Sequence, residues 1–498
     1  MSAGTSGLYQ QLNDRINGAG AKVFIEAQSG DYLFSDIDPL CAKIQSVMTD
    51  VGVTKGSRVL VQVEKSPEAV MLYLACLRMG AIFVPLNTGY TESEVRYFFE
   101  NAEPDLCICD PAKEENFKRI AGGKTVLTLD EKKQGSLWLK TNKCDKCIEM
   151  TKLDGDDIAA ILYTSGTTGV SKGAMLSNEN LRSNVAVLSD YWQWSSDDVL
   201  LHILPIFHVH GLFVALHCAL WTTNTIIFES SFKPENVVKN LPRSTVLMGV
   251  PTHYVRLLET AGFGREVCKN MRLFLSGSAP LLAETFHQFE QVAGIKILER
   301  YGMTEAGMIT SNPYDGERVA GTVGFALPGV EARIGNEKDG KGVLEIKGAN
   351  VFKGYWRMPE KTAQEFTQDG FFITGDISTM DEEGRVTIVG RAKDLIITGG
   401  LNVYPKEIES LIDDIEGVKE SAVIGVAHSD FGEGVTAIVI PDGTKGISED
   451  DISIILEESL AKFKQPKKII ILEALPRNTM GKVQKNALRE TYADIYKI

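Results

Sequence analysis

The sequence predicts a large α/β domain of several subdomains, followed by a smaller, mobile α+β domain. Three observations lead to this prediction. From about residue 20 to 300, short apolar runs alternate with helix-like periodicity, which is typical of layered α/β architecture. Between about 320 and 392 the pattern changes to short strands with glycine-containing turns, which indicates an antiparallel or barrel-like subdomain. After Arg391, helices and strands alternate again in a shorter segment.

The elements of the large domain follow from local patterns. SRVLVQV (57–63) is predicted to be a strand, and PEAVMLYLACLRMG (67–80) a helix that ends at Gly80. Further strands are predicted in AIFVPLN, NTIIFE, STVLMGVP and MRLFLSGSAP. Their apolar runs are short and continuous, which favours central strands covered on both faces.

The small domain has its own series of elements. Helices are predicted in YPKEIESLIDDI and SEDDISIILEESLAKF, strands in SAVIGVA, VTAIVIP and KKIIIL, and a basic terminal helix in GKVQKNALRETYADIY. We therefore predict a boundary near residue 393, with a large domain over 1–392 and a small domain over 393–498.

The composition is that of a soluble globular protein. Of the 498 residues, 44% are hydrophobic and 24% are charged. The formal net charge of −14 argues against binding to nucleic acid. The N-terminal residues lack the features of a secretory signal, and the apolar stretch from Gly211 to Trp221 is too short to span a membrane. We expect a cytoplasmic protein with no membrane partner; the pattern leaves open whether it is a monomer or a dimer.

Two cysteine spacings could imitate a zinc site, Cys107-x-Cys109 and Cys144-x-x-Cys147. However, the first pair lies in DLCICD, which is predicted to be a buried strand where cysteine is a small apolar residue. We interpret the cysteines as reduced packing thiols, and leave the role of the second pair open.

The segment YTSGTTGVSKG (163–173) follows the apolar run IAAIL and is rich in glycine and hydroxyl residues. Such a loop can surround phosphate oxygens with backbone N–H groups, and Lys172 adds a positive charge. The segment does not fit the Walker A pattern. Its residue order resembles the phosphate loop of the adenylate-forming superfamily, which includes acyl-CoA synthetases, adenylation domains and firefly luciferase. The nucleotide-binding residues that this resemblance implies are Thr164, Ser165, Gly166, Thr167, Thr168, Gly169, Lys172, Ser278, Ala279, Glu299, Tyr301, Gly302, Asp376 and Arg391.

Later motifs extend the resemblance. YGMTE (301–305) is similar to a core motif in which Tyr301 stacks near adenine, Thr304 contacts the α-phosphate and Glu305 ligates Mg²⁺. ITGD and GRAKD resemble the segments that supply two ribose contacts, Asp376 and Arg391.

The small domain carries the remaining motifs. PRNTMGKVQK makes Lys482 the implied catalytic lysine, which bridges the carboxylate and the α-phosphate. From Lys462 to Arg489 there are eight basic residues against one acid, and these lysines could also bind the phosphates of coenzyme A. By the same resemblance, Lys393 is the hinge about which the small domain rotates, and rotation exchanges Lys482 for a face that includes Gly399 and Gly400.

Arg300 stands directly before YGMTE, where most members of the superfamily carry a small residue. A guanidinium beside a carboxylate-activating site is costly unless an anion meets it. One interpretation is a structural salt bridge. The other is a substrate with a second carboxylate, bound bidentately by Arg300 and supported by Ser278 and His208. The resemblance also implies that His208, in LPIFHVHG, lines the acyl pocket and couples access to domain rotation; a metal pair with His210 lacks a third ligand nearby.

Several segments, among them SGSAPLLAET, LERYGMTE and VFKGYWRMPEKT, look very similar to those of malonyl-CoA synthetases. The expected reaction is ATP-dependent conversion of malonate with coenzyme A into the thioester, through an acyl-adenylate, and methylmalonate is a further candidate substrate. Three alternatives stay open at this point: a ligase for another short monocarboxylic acid, an adenylation enzyme that loads a carrier protein, and a non-enzymatic AMP-binding sensor. A sensor would be expected to lack Lys482 or Glu305, and both are present.

Overall fold

The computed structural model describes residues 6–164, 171–338, 340–398, 401–428, 431–460, 462–478 and 481–497. Its helices are α1 (Leu8–Ala19), α2 (Phe34–Asp50), α3 (Pro67–Met79), α4 (Glu92–Ala102), α5 (Glu114–Ala121), α6 (Ser136–Asn142), α7 (Asn178–Tyr191), α8 (His217–Trp221), α9 (Pro234–Asn240), α10 (Pro251–Leu258), α11 (Ala283–Ala293), α12 (Pro359–Gln364), α13 (Pro405–Asp413), α14 (Glu449–Ser459) and α15 (Lys485–Thr491).

The strands are β1 (Val23–Ala27), β2 (Tyr32–Leu33), β3 (Arg58–Gln62), β4 (Ile82–Pro85), β5 (Leu106–Cys109), β6 (Thr125–Thr128), β7 (Ile158–Thr164), β8 (Lys172–Ser177), β9 (Val199–His202), β10 (Thr225–Phe228), β11 (Val246–Gly249), β12 (Leu273–Ser276), β13 (Leu298–Met303), β14 (Gly307–Ser311), β15 (Phe325–Ala326), β16 (Val330–Lys338), β17 (Lys341–Gly348), β18 (Phe372–Met380), β19 (Val386–Arg391), β20 (Ile396–Thr398), β21 (Leu401–Val403), β22 (Val418–His428), β23 (Gly432–Pro441) and β24 (Lys468–Ile471).

Contacts divide the chain into two compact units. The first comprises Met1–Glu331 and Ile346–Phe372, and the second comprises Ala332–Glu345 and Ile373–Ile498. The boundary predicted near residue 393, between a large domain over 1–392 and a small domain over 393–498, stays a prediction.

The first unit contains two sheets. One has six strands in the order β6-β5-β3-β4-β7-β8, and the other has nine in the order β15-β14-β13-β12-β11-β9-β10-β1-β2. Neighbouring strands from β13 through β12, β11 and β9 to β10 all run parallel. Strands β11 and β12 are buried along their whole length, as expected for parallel strands covered on both faces. The layered α/β fold predicted for this region is confirmed.

Helix α3 shows how local sequence and burial agree in this unit. The Ser66 side chain caps it by accepting a hydrogen bond from the Ala69 N–H at 3.2 Å, and Pro67 occupies the first turn. Gly80 ends the helix in the left-handed conformation, with a φ of 75°, as predicted. All thirteen residues are buried, so this helix lies inside the unit and not on its surface.

Other predictions for the first unit can be compared directly with the structure. Cys107 and Cys109 are free, fully buried side chains of β5, which confirms their interpretation as packing thiols. Cys144 is half-buried and Cys147 exposed, and both are free. The apolar stretch after His210 forms a seven-residue π-helix, His210–Leu216, that continues into α8. None of the described helices has the length and apolar character needed to cross a membrane.

The second unit contains the sheet β21-β20-β23-β22, with β24 paired to β23, and most of the sheet β16-β17-β18-β19. Buried aliphatic residues of α13, α14 and β23 form its core, including Ile408, Ile412, Leu456 and Val439. The predicted helices and strands are found here with one correction. The terminal helix was predicted over 481–496, whereas α15 covers only Lys485–Thr491. The residues before it bend back into a turn, and Val483 bridges to Arg477.

Candidate active site

Polar side chains converge where parallel strands of the nine-stranded sheet end. Gly277 and Ser278 directly follow β12, Arg300 lies in the neighbouring strand β13, and the His208–His210 segment follows β9. In open α/β sheets, ligands bind outside the carboxyl ends of parallel strands. This edge is therefore the place where a small substrate is expected.

Arg300 is a buried cation in this group. The residue is only 3% exposed, and its Nε and Nη2 atoms have no hydrogen-bond partner among the described residues. No salt bridge joins it to a carboxylate in the described part of the chain, so the interpretation as a structural salt bridge is not supported. Burial lowers the pKa of Arg300 to about 10, which leaves the guanidinium charged at neutral pH. Such a group needs an anion that the described chain does not supply.

His210 is a second polar group of this site, and its sequence context did not predict it as a site residue. Its ring is buried, its Nδ1 atom lies 3.3 Å from the Ser278 hydroxyl, and its Nε2 atom has no partner among the described residues. Burial, and then the charge of Arg300, lower the pKa of His210 well below its ordinary value. The imidazole is therefore neutral and presents one N–H and one acceptor nitrogen.

The predicted residues Ser278 and His208 lie beside His210. Ser278 has a φ of 71°, a left-handed conformation that is uncommon for a residue other than glycine. The backbone N–H of His210 donates to Nδ1 of the half-buried His208 at 3.4 Å. Ala279, the next residue after Ser278, is also half-buried.

Lys172, Tyr355 and Glu305 form a second group in the first unit. The Tyr355 hydroxyl donates to Oε1 of Glu305 at 3.0 Å, and the Lys172 ammonium lies 4.3 Å from the centre of the Tyr355 ring. Lys172 also forms a 3.4 Å salt bridge with Glu365. All three residues of the group are at least 93% buried. Lys172, the predicted phosphate-loop lysine, and Glu305, the predicted magnesium ligand, thus both contact Tyr355.

Hydrogen bonds from neighbouring segments hold the turn that carries Glu305 in place. The Phe352 N–H donates to the Glu305 carbonyl oxygen at 2.7 Å, and the Asn350 side-chain amide donates to the Ala306 carbonyl at 2.8 Å. The side chain of Asn184 both accepts from the Met308 N–H at 3.0 Å and donates to its carbonyl at 2.9 Å. These contacts fix the direction in which the Glu305 side chain leaves the backbone.

The other residues of the YGMTE region lie along the same strand and turn. Buried Glu299 accepts a hydrogen bond from the Gly321 N–H at 3.2 Å. Tyr301 and Thr304 are half-buried. Gly302 approaches the opposite strand so closely that a Cβ atom there would lie 2.2 Å from the Gly307 carbonyl oxygen, which explains the glycine.

Asp376 and Arg391 pair in the second unit. They are directly opposite each other on the antiparallel strands β18 and β19, and Nε of Arg391 lies 2.6 Å from Oδ1 of Asp376. Asp376 is only 2% exposed. Lys393 follows in a short 3₁₀ turn, Ala392–Asp394. The two predicted ribose contacts are therefore adjacent to each other and to the predicted hinge.

Lys482 is an exposed residue in a tight turn of the second unit. Its N–H donates to Oδ1 of Asn478 at 2.9 Å, and its carbonyl accepts from the Asn478 N–H at 2.9 Å. Four other basic residues of this region pair with acids of the same unit, which leaves fewer cations for coenzyme A phosphates than the sequence predicted. These pairs are Lys464–Glu407, Arg477–Glu420, Lys485–Glu409 and Arg489–Asp394.

Part of the predicted site lies outside the described residues. This applies to most of the phosphate loop and to the two glycines proposed for the second step, namely Ser165, Gly166, Thr167, Thr168, Gly169, Gly399 and Gly400. Thr164 precedes the loop, and its hydroxyl group is 3.5 Å from the Lys172 carbonyl oxygen, across the hairpin of β7 and β8.

The fold agrees with the protein families that the chain matches. The profile of the AMP-binding enzymes matches residues 13–356, and the profile of their C-terminal domain matches residues 407–482. The chain belongs to the AMP-binding enzyme family, and its class is that of the acid–thiol ligases. The resemblance to adenylate-forming enzymes predicted from the motifs is confirmed.

One curated relative and two solved structures show which individual proteins the chain resembles. The malonate–CoA ligase of Arabidopsis thaliana is 37% identical over 478 residues, which cover 88% of this chain and 79% of that protein. The crystal structure of ATP-bound MatB from Rhodopseudomonas palustris is 51% identical, with a TM-score of 0.96 over 99% of both chains. The o-succinylbenzoate CoA synthetase of Bacillus subtilis, in complex with its acyl-adenylate, is 26% identical, with a TM-score of 0.85 over 96% of this chain and 97% of that one.

Proposed function

We propose that the protein converts malonate, ATP and coenzyme A into malonyl-CoA, AMP and diphosphate. The observation that carries this proposal is the buried guanidinium of Arg300, two of whose nitrogen atoms have no partner among the described residues. A buried cation at the substrate end of an acid-activating site is stabilised by a substrate anion. Malonate is a dicarboxylate, so a second, charged carboxylate remains when the first reacts with ATP. The malonate–CoA ligase relative supports the same assignment.

The second carboxylate would be bound by groups already in place. Nε and Nη2 of Arg300 form a fork that matches two carboxylate oxygens. If Nδ1 of His210 accepts from the Ser278 hydroxyl, the proton of the neutral ring is on Nε2, which can then donate to the same carboxylate. The first carboxylate of malonate, which reacts with ATP, would then point away from Arg300 and toward the α-phosphate.

In the first step, a carboxylate oxygen of malonate attacks the α-phosphorus of ATP, and the bond to the bridging oxygen breaks as diphosphate leaves. Lys482 would bridge the carboxylate and the α-phosphate and stabilise the charge that develops there. Thr304 would contact the same phosphate and Tyr301 the adenine. The paired side chains of Asp376 and Arg391 would bind the ribose.

The carboxylate of Glu305 fits a magnesium ion that accompanies ATP. Magnesium prefers hard oxygen ligands and usually keeps only one or two protein carboxylates beside phosphate oxygens and water. Tyr355 orients one oxygen of Glu305 by hydrogen bonding, and the turn behind it is fixed. When bound, the ion would neutralise negative charge on the phosphates.

In the second step, the thiol of coenzyme A loses its proton and attacks the carbonyl carbon of the adenylate, and AMP leaves. We propose that residues 393–498 rotate about Lys393 between the steps. Rotation would remove Lys482 and bring in the segment with Gly399 and Gly400.

The test is a comparison of acids with the purified protein. Diphosphate release is measured with malonate, methylmalonate, acetate and butyrate, with and without coenzyme A. We expect the highest kcat/KM for malonate, and we expect malonyl-CoA and AMP to accumulate only when coenzyme A is present. Preference for acetate or butyrate would contradict the dicarboxylate assignment. Adenylate formation without transfer to coenzyme A would instead indicate a different acceptor, such as a carrier protein.

A first prediction concerns Tyr355, which the motif comparison did not single out. Tyr355→Phe keeps the ring beneath Lys172 but removes the hydroxyl that donates to Glu305. A hydrogen bond to a charged group contributes about 1.5–3 kcal/mol, so we expect kcat to fall by roughly tenfold or more and the Mg²⁺ concentration for half-maximal activity to rise. Titration of activity with Mg²⁺ measures both. Tyr191→Phe, which alters a half-buried tyrosine bonded to Ser311, is the matched control; an unchanged Mg²⁺ requirement in Tyr355→Phe would contradict this role.

A further inference from the structure

Gly277 is packed directly against the guanidinium of Arg300. A Cβ atom built at position 277 would lie 2.2 Å from Nη1 and 2.4 Å from Cζ of Arg300, and the third nearest atom, at 2.9 Å, is Nε of the same side chain. Cβ atoms essentially never approach other heavy atoms within 3.0 Å. The φ of Gly277 is outside the left-handed region, so its backbone conformation is open to any residue. The guanidinium is therefore the structural reason for a glycine here.

We propose that Gly277 is a positioning residue, which selects dicarboxylates by fixing where the guanidinium of Arg300 lies. This inference rests on the function proposed above, because it assigns a role to Gly277 only through the contact of Arg300 with the second carboxylate. Gly277 has no side chain and makes no contact of its own with the acid. Because glycine has no Cβ atom, it leaves room beside β12 for the guanidinium of Arg300.

The surroundings of Arg300 determine what an added methyl group would do. The guanidinium is the end of a flexible side chain, so it can move, and the fold need not break. The residue is only 3% exposed, and an added methyl group at position 277 would shift its Nη1 and Cζ atoms from their present positions. A bidentate contact requires two N–H groups aligned with two oxygens, and a misplacement of about 1 Å can reduce a rate by about 100-fold. Loss of selectivity with retained stability is the expected result.

The first measurement uses Gly277→Ala with Gly264→Ala as a control. Gly264 also has a φ outside the left-handed region, but a Cβ atom there would meet nothing within 4 Å. For Gly277→Ala we expect kcat/KM for malonate to fall by about 10- to 100-fold, mainly through a higher KM. We expect kcat/KM for acetate and the melting temperature to stay within error. Gly264→Ala should match the wild type throughout. An equal loss for malonate and acetate would overturn the inference.

The second measurement is a double-mutant cycle with Arg300→Ala. Once the guanidinium is absent, the methyl group of alanine at 277 has nothing to displace, so adding Gly277→Ala to Arg300→Ala should cost nothing further. Additive losses would show that position 277 acts through another contact. If Gly277→Ala alone lowers the melting temperature, Arg300→Ala should restore it, and a failure to do so would also overturn the inference.

The double-mutant cycle distinguishes the proposed function from the proposed role of Gly277. If Arg300→Ala itself reduces activity with malonate and acetate equally, the proposed function loses its main support. If Arg300→Ala is selective for malonate but Gly277→Ala has no effect, the proposed function stands and the role of Gly277 is wrong.

Discussion

Replacing Lys482 with alanine is expected to reduce adenylate formation by about 100- to 1,000-fold, the range seen when one preorganised group that stabilises developing charge is removed. The side chain is exposed and lies in a turn that is closed by backbone and Asn478 contacts, which alanine retains. Substitutions at exposed positions usually change the free energy of unfolding by no more than about 0.5 kcal/mol, so the melting temperature should shift little. Malonate-dependent diphosphate release, measured in single turnover, gives the rate of this step directly.

The control for Lys482→Ala is the second half of the reaction. When malonyl-adenylate is supplied, transfer to coenzyme A should proceed at nearly the wild-type rate, because we propose that Lys482 has left the site by then. Lys419→Ala, which removes an exposed lysine of the same unit outside the basic segment 462–489, should leave both rates unchanged. Equal losses in both half-reactions would argue against a rotating domain.

The fold could be predicted well where local pattern and burial agree. Helix α3 has a serine cap, a proline in its first turn and a glycine at its end, and each signal marks the boundary that the structure shows. The terminal helix was predicted too long because its charged and apolar residues have helical periodicity beyond α15. In the structure Lys482 and Val483 instead pair with Asn478 and Arg477. This pairing depends on chain reversal, which residue periodicity does not report.

Only part of the candidate site was predicted, because contacts between distant parts of the chain are not visible in the sequence pattern. Motif residues such as Glu305 could be found because their order along the chain is distinctive. Three residues that contact them were missed: His210, Gly277 and Tyr355. His210 lies two residues from the predicted His208, but the π-helix that begins at His210 could not be inferred from spacing. Gly277 and Tyr355 contact residues that are distant along the chain, so neither could be linked to the site by sequence order.

Replacing Arg300 with alanine is expected to change which acids the enzyme accepts. Truncating one partner of a buried, charge-assisted contact costs roughly 2–5 kcal/mol, which corresponds to about 30- to several thousand-fold in kcat/KM for malonate. Activity with acetate should stay the same or rise slightly, because acetate leaves the guanidinium buried without an anion. The KM for ATP should hardly change. These values follow from steady-state kinetics with each acid.

Arg300→Lys is the matched variant for this prediction. Lysine keeps the positive charge but replaces the planar fork with a single ammonium group, so malonate activity should lie between those of the wild type and Arg300→Ala. If kcat/KM fell equally for malonate and acetate in Arg300→Ala, the arginine would only support the Tyr301–Glu305 turn.

The most direct measurement is the ratio of kcat/KM for malonate to that for malonamate, the half-amide of malonic acid. Malonamate has nearly the same shape as malonate, but a neutral amide replaces the second carboxylate. The proposed contact with Arg300 predicts a ratio of at least about 30 in the wild type, falling close to 1 in Arg300→Ala. A ratio near 1 in the wild type, or a large ratio that Arg300→Ala leaves unchanged, would contradict recognition of a dicarboxylate by this guanidinium.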